Sequence, residues 1–206
     1  MHPFRLAQPT RRKGRAVCEL YTSYRKTLKE DFNDRCGYCD DTDKLKLRSF
    51  AIDHFVPQNP IGFVNKILPN DYYNLVYSCN FCNSSKSNTW PTKDEKIYND
   101  GNEGFIDPTT VQYTNTFKRN HLGKIECNGI SPNLAEYIIR ELKLWYPVHQ
   151  ITWKLERVKV QEGLVKEKIK NLKDDALRAE LEKIHYEILK EIEDLYANLF
   201  TKVNEK

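Results

Sequence analysis

The sequence predicts an α+β fold: a small strand-bearing core held between two cysteine pairs, with a helix before it and helices after it. Three observations lead there. The pairs Cys36-Gly-Tyr-Cys39 and Cys79-Asn-Phe-Cys82 bracket two short apolar runs. Apolar residues recur at spacings of three and four before the first pair and again toward the end of the chain, as one face of a helix requires. Between these stretches Gly, Pro, Asn and Asp break the chain into short pieces, which suits strands and turns.

Four segments follow from this: a basic arm and N-terminal helix over 1–34, the cysteine-bounded core over 35–90, a mixed extension over 91–150, and a Lys/Glu-rich helical tail over 151–206. The arm carries Arg5, Arg11, Arg12, Lys13 and Arg15 and no acid before Val17. Such an arm either tracks a phosphate backbone or frays into solvent. Val17, Leu20, Tyr21, Tyr24, Leu28 and Phe32 then mark one face of a helix.

In the core, Phe50-Ala51-Ile52 running into Asp53-His54 reads as a strand that ends by Pro57. Asn74 to Tyr77 reads as a second strand, and the polar residues after Cys82 open a short helix stopped by Pro91. Further on, Phe117 to Cys127 reads as a hairpin around a glycine. Ser131-Pro132 reads as an N-cap with proline at the first helical position, leading a helix through Leu134, Ile138, Leu142 and Trp145 that ends before Pro147. In the tail, Val165, Ile169, Leu172 and Ala176, then Leu181, Ile184, Ile188, Ile192, Leu195 and Leu199, predict one long helix or a helical hairpin broken near 171–175. Such a stripe needs a companion: the body of the protein, a second copy in a homodimer, or a larger protein partner.

The 206 residues carry a net charge of +4, which permits a polyanionic partner without requiring one. No apolar run approaches the roughly 18 residues of a membrane span, so no membrane partner is expected. The start lacks the apolar stretch of a secretory signal, so a cytoplasmic protein is expected. In a reducing compartment its six cysteines are metal ligands or thiols rather than disulfides.

Two residues between paired cysteines let both thiolates reach one ion, and two such knuckles complete a tetrahedron of soft ligands. Cys36, Cys39, Cys79 and Cys82 are therefore expected to bind zinc. Four thiolates leave no open position, so this Zn2+ is structural and its binding contributes folding free energy. Cys18, between the apolar positions of its helix, and Cys127 read as ordinary thiols. His2, His121, His149 and His185 carry no motif, and His185 reads as a surface residue of the tail.

A bare zinc ribbon has no need of an Asp-His pair at the end of an apolar strand. Phosphodiester hydrolysis does need a base for water and a divalent ion that offsets charge on the phosphate and the leaving oxygen. His54 has the titration range of such a base. Asp53 and Asn83 offer hard oxygens suited to Mg2+. Because neighbouring strand residues point to opposite faces, Asp53 and His54 both reach one site only where the strand ends or bulges.

The ordered series C-x2-C, Ile52-Asp53-His54-Phe55-Val56-Pro57, Asn74-Leu75, then C-x2-C-Asn83-x2-Lys86 resembles the HNH endonucleases of ββα-metal fold, over roughly residues 35–90. The resemblance implies that His54 activates water and that Asp53 and Asn83 bind the catalytic metal. It further implies that Asn74 braces the loop bearing His54 and that Lys86 touches phosphate. Asn83 stands where many members have a last histidine. A neutral oxygen ligand there favours Mg2+ or Mn2+ over softer metals. The region from Gly104 through the helix at 132–146 is loosely similar to the extension of bacterial anti-phage defence HNH proteins, which implies a bacterial or phage-related setting.

The expectation is thus a metal-dependent endonuclease cutting double-stranded DNA, possessing a structural zinc and a catalytic Mg2+ or Mn2+. Two other readings stand beside it: a non-catalytic zinc module that binds nucleic acid, and a nuclease subunit dormant until a partner protein activates it.

Overall fold

The computed structural model describes residues 1–204. In chain order its elements are β1 (His2–Pro3), α1 (Arg25–Asp31), β2 (Phe50–His54), β3 (Leu75–Cys79), α2 (Asn80–Lys86), α3 (Val111–Thr116), β4 (Phe117–Arg119), β5 (Ile125–Cys127), α4 (Pro132–Glu141), α5 (Pro147–Asn171) and α6 (Asp175–Asn204). Short 3-10 turns lie at Tyr21–Tyr24 and Tyr72–Asn74. The chain therefore mixes helices with two small antiparallel sheets, β2–β3 and β1–β4–β5. It divides into a unit spanning Met1–Tyr146 and a second that begins at Pro147. The arm, the cysteine-bounded core and the mixed extension, expected as separate segments, thus share one unit.

The β2–β3 hairpin sets Phe50 opposite Cys79 and His54 opposite Leu75. All five residues of β3 are buried, so its apolar run does not alternate with polar positions. The hairpin hands the chain straight to α2, whose N-cap is Cys79 itself, its Sγ accepting the Cys82 N–H at 3.5 Å.

The N-terminal arm is largely exposed but is anchored to the body at Phe4, Arg5 and Pro9, which are buried. β1 pairs with β4. Arg5 is buried and donates to Gly37 O at 2.8 Å and Pro108 O at 3.0 Å. Arg11 donates to Leu75 O at 2.9 Å and pairs with Asp107 at 2.7 Å. Arg12 pairs with Asp31 and Glu30. These guanidiniums are spent on carbonyls and carboxylates of the protein's own body, a use that charge alone does not announce.

α1 is shorter than its apolar spacing predicts. Val17 and Leu20 are exposed, and residues 17–20 are not helical. There the Cys18 N–H goes to Tyr24 Oη at 2.7 Å and its C=O accepts from Asn70 Nδ2 at 2.8 Å. Side-chain partners for the backbone compete with the helix at this point, and Cys18 lies outside any helix.

The mixed extension packs through aromatic rings. Trp90 stacks on Phe105 and meets Phe55 edge-on, tying the chain after α2 to the loop after β2. β4 and β5 form the expected hairpin. Pro132 is at the start of α4 as expected, but Ser131 takes a left-handed conformation (φ 46°) and its side chain makes no cap bond.

The second unit is a helical hairpin. α5 begins at Pro147, where the missing N–H costs no bond, several residues before the expected start. α6 follows after the Asp174 side chain accepts the Leu177 N–H at 3.0 Å. Lys154 pairs with Glu191 at 2.9 Å and Glu162 with His185 at 2.8 Å, as two antiparallel helices require. Leu155 and Val158 on α5 and Leu195 and Leu199 on α6 are buried. Among the described residues the two helices are each other's companion. No helix among them is long and apolar enough to cross a membrane.

Candidate functional site

Cys36, Cys39, Cys79 and Cys82 are buried, and their sulfurs all lie within 4.8 Å of one another. Cys39 Sγ and Cys79 Sγ are 3.8 Å apart. A zinc ion with Zn–S bonds of about 2.3 Å gives a tetrahedron whose edges are about 3.8 Å. The four sulfurs fit that ion. Burial raises the Cys39 and Cys82 pKa values, while hydrogen bonds from the other three cysteines lower that of Cys79. A divalent cation at the centre would stabilise all four as thiolates.

The first knuckle is held from several sides. Gly37 N–H donates to Tyr77 O at 2.8 Å. A Cβ on Gly37 would lie 2.6 Å from Phe32 Cε1 and 2.7 Å from Val76 Cγ1, so only glycine fits there. Arg119 donates to Cys39 O at 2.6 Å and Tyr113 to Tyr38 O at 2.8 Å. Arg48 lies 3.9 Å from Cys79 Sγ and pairs with Asp41 at 3.3 Å. Such cations offset the net negative charge of a four-thiolate site.

β2 ends at His54, so Asp53 and His54 both face the same cleft despite being strand neighbours. That cleft has a volume of about 210 Å³ and is lined by Asp53, His54, Gln58, Asn83 and Ser87 among others. Asn83 and Ser87 are four apart along and just past α2, which puts them on one side of it.

His54 is fixed on three sides. Its Nε2 is 2.8 Å from Pro69 O and 3.2 Å from the Gln58 carboxamide, and Tyr21 meets the ring edge-on at 4.8 Å between centroids. Burial lowers the His54 pKa below the ordinary imidazole value, against the opposing pull of the Pro69 carbonyl and Asp53. The neutral ring is favoured at neutral pH.

Asn74 stands at the foot of β3 and is buried. Its Oδ1 accepts the Val56 N–H at 2.9 Å and its Nδ2 donates to Val56 O at 3.0 Å. Its own carbonyl accepts the Phe55 N–H at 2.8 Å. One residue thereby holds both residues after His54.

Lys86, expected on phosphate from the resemblance, is elsewhere. It is 0 % exposed. Its Nζ lies 3.1 Å from Asp53 Oδ2, 3.4 Å from Asp53 Oδ1 and 2.9 Å from His54 O. Tyr38 Oη also donates to Asp53 Oδ2. Burial lowers the Lys86 pKa and Asp53 opposes that shift. Lys86 follows the buried Cys82 by one helical turn, and this spacing is the sequence signal for its inward direction. Tyr38 sits between the two cysteines of the first pair and carried no signal of its own. Neither did Pro69, which acts through a backbone carbonyl.

Residues 36–89 match the model of the HNH endonuclease family, about a quarter of the chain. The matched stretch starts at Cys36 and contains the cleft residues Asp53, His54 and Asn83, and the four clustered cysteines fit a zinc-binding subtype. No curated protein and no solved structure matches the chain.

Proposed function

We propose that the protein is a metal-dependent HNH endonuclease that hydrolyses phosphodiester bonds, with β2, β3 and α2 as its ββα-metal core. The observation that carries this reading is the meeting of Asp53, His54 and Asn83 in one polar cleft, inside the matched segment. Cys36, Cys39, Cys79 and Cys82 hold a structural Zn2+ that pins the loop before β2 to the start of α2.

His54 is the general base. A carbonyl oxygen only accepts, so the 2.8 Å contact with Pro69 O, shorter than the 3.2 Å contact with the donor Gln58 Nε2, places the neutral ring's hydrogen on Nε2. Nδ1 is then the atom that takes the proton of water. Asn74 keeps the backbone after His54 in place, so the imidazole does not drift from the attacking water. Asp53 and Asn83 supply the oxygens that hold Mg2+ or Mn2+. That ion, when bound, offsets charge on the phosphate and on the departing 3′ oxygen. Double-stranded DNA is the proposed substrate on the family resemblance. On the looser resemblance of the region after the core, we extend the proposal to a cytoplasmic effector of bacterial defence.

The test is cleavage of supercoiled plasmid in Mg2+ or Mn2+ by wild type and His54→Ala. Nicked or linear product from wild type alone is the expected result. Intact plasmid with both proteins, each with its zinc in place, would overturn the proposal in favour of a non-catalytic zinc module that binds nucleic acid or a nuclease subunit dormant until a partner protein activates it.

A further inference from the structure

The cleft is charge-balanced before anything enters it. Asp53 is the only formally charged side chain among the described residues lining it. His54 is neutral at neutral pH and Asn83 always is. The charge of Asp53 is already matched: Lys86 Nζ lies 3.1 Å from its Oδ2. Lys86 has no route to solvent in this arrangement. It is fully buried, bonded to His54 O at 2.9 Å, and its Nζ is 5.9 Å from the centre of the Phe105 ring. A buried carboxylate without a counter-charge is costly, and Lys86 removes that cost in the free protein. The same cation repels any second cation that approaches the carboxylate.

We propose that Lys86 is a built-in counter-ion that keeps the catalytic-metal site weak until a phosphodiester arrives, so that the divalent ion is held jointly by Asp53, Asn83 and the substrate's own phosphate. This rests on the nuclease reading above. Lys86 is a positioning residue in this scheme, acting on the reaction through Asp53. Tyr38 assists by hydrogen-bonding the same Oδ2, which leaves Oδ1 with only the longer 3.4 Å contact to Lys86. The substrate's negative charge supplies what the donor set lacks, which ties metal binding to the presence of nucleic acid and keeps the protein from loading metal on its own.

The experiment is Mn2+ titration of the full, zinc-loaded chain, followed by loss of the electron-spin-resonance signal of free Mn2+. It is run on a His54→Ala background, so that an added DNA duplex stays intact. Duplex should tighten Mn2+ binding by about tenfold or more. Lys86→Met should tighten Mn2+ binding without duplex by about tenfold or more and shrink the effect of duplex. Mn2+ binding by Lys86→Met no tighter than that of its parent would overturn the proposal. If Lys86→Met fails to retain zinc, the duplex arm decides: a parent protein that binds duplex with unchanged Mn2+ affinity overturns it equally. Asp53→Asn separates this failure from that of the underlying reading. Mn2+ binding unaffected by Asp53→Asn removes the metal site itself, and the nuclease mechanism with it. Binding lost there but insensitive to Lys86 and duplex removes the counter-ion alone.

Discussion

Asn74 grips Val56 by both of its backbone groups, accepting the N–H at 2.9 Å and donating to the C=O at 3.0 Å. Both residues are buried, Val56 just past the end of β2 and Asn74 just before β3, so the clamp closes the loop that leaves His54. Asn74→Ala strands a buried donor and a buried acceptor, at a cost of about 2 kcal/mol or more. The expected outcome is a lower denaturation midpoint with zinc retained, and plasmid cleavage reduced well beyond what the unfolded fraction explains. Unchanged cleavage by the folded fraction would show that the loop holds His54 without Asn74.

The four-cysteine cluster predicts a different kind of loss. Cys82 is both a member of the tetrahedron and, through its N–H on Cys79 Sγ, part of the first turn of α2. Cys82→Ser, or Cys36→Ser, replaces a soft thiolate with a poor zinc ligand and should release the metal and unfold the first unit. Metal analysis and circular dichroism on the purified variants check this. A variant that keeps both its metal and its thermal transition would rule out zinc as a folding element.

Gly37 supplies a steric test of the same knuckle. Its missing Cβ leaves room for Phe32 and Val76, which a methyl group would approach to 2.6 and 2.7 Å. Gly37→Ala should destabilise the first unit by about 1–3 kcal/mol through overpacking. Zinc affinity, measured by competition with a chelator, should fall with it, because Cys36 and Cys39 flank the displaced residue.

What could be read from the sequence was where chemistry or periodicity constrains the chain. β2 and β3 lie close to where the cysteine spacing and apolar runs place them, and Asp53, His54 and Asn83 do share a cleft, whereas α2 begins at Asn80 and ends at Lys86, earlier than the helix expected between Cys82 and Pro91, because Ser87 leaves helical geometry. The break between α5 and α6 falls between Asn171 and Asp175, the stretch expected to break a helical hairpin, although the apolar spacing runs on through Leu172 and Ala176. What was not legible is long-range and electrostatic. Arg5 reaches Gly37 and Arg119 reaches Cys39, contacts with no local pattern in the sequence. Lys86 looks like a surface cation until its helical phase relative to Cys82 is considered. Val17 and Leu20 keep helical spacing yet are exposed, because Tyr24 and Asn70 capture the backbone of Cys18.

Ser87 carries stored backbone strain at the edge of the cleft. It closes α2 at φ 48° and ψ −134°, a conformation that favours glycine. Such a conformation in a residue with a side chain costs about 1–3 kcal/mol. Ser87→Gly should therefore stabilise the first unit by about 1 kcal/mol after glycine's own entropy is set against the relief. Thermal denaturation of the zinc-loaded protein should show a rise of about 2–4 °C. A fall would mean that the serine side chain contributes more than its backbone costs.

Asn83 is the proposed metal ligand whose charge can be changed with the least disturbance. It is half-buried on α2, in the same cleft as Asp53. Asn83→Ala removes a neutral oxygen donor and should raise the Mg2+ concentration for half-maximal cleavage by about tenfold, with the thermal transition little changed. Asn83→Asp works in the opposite direction. It adds a negative charge to a donor set that Lys86 has balanced, and should lower the Mg2+ requirement below that of wild type. The two variants together separate ligation from packing. A side chain that merely fills space would give the same metal titration in Ala, Asp and wild-type proteins, and that result would remove Asn83 from the site.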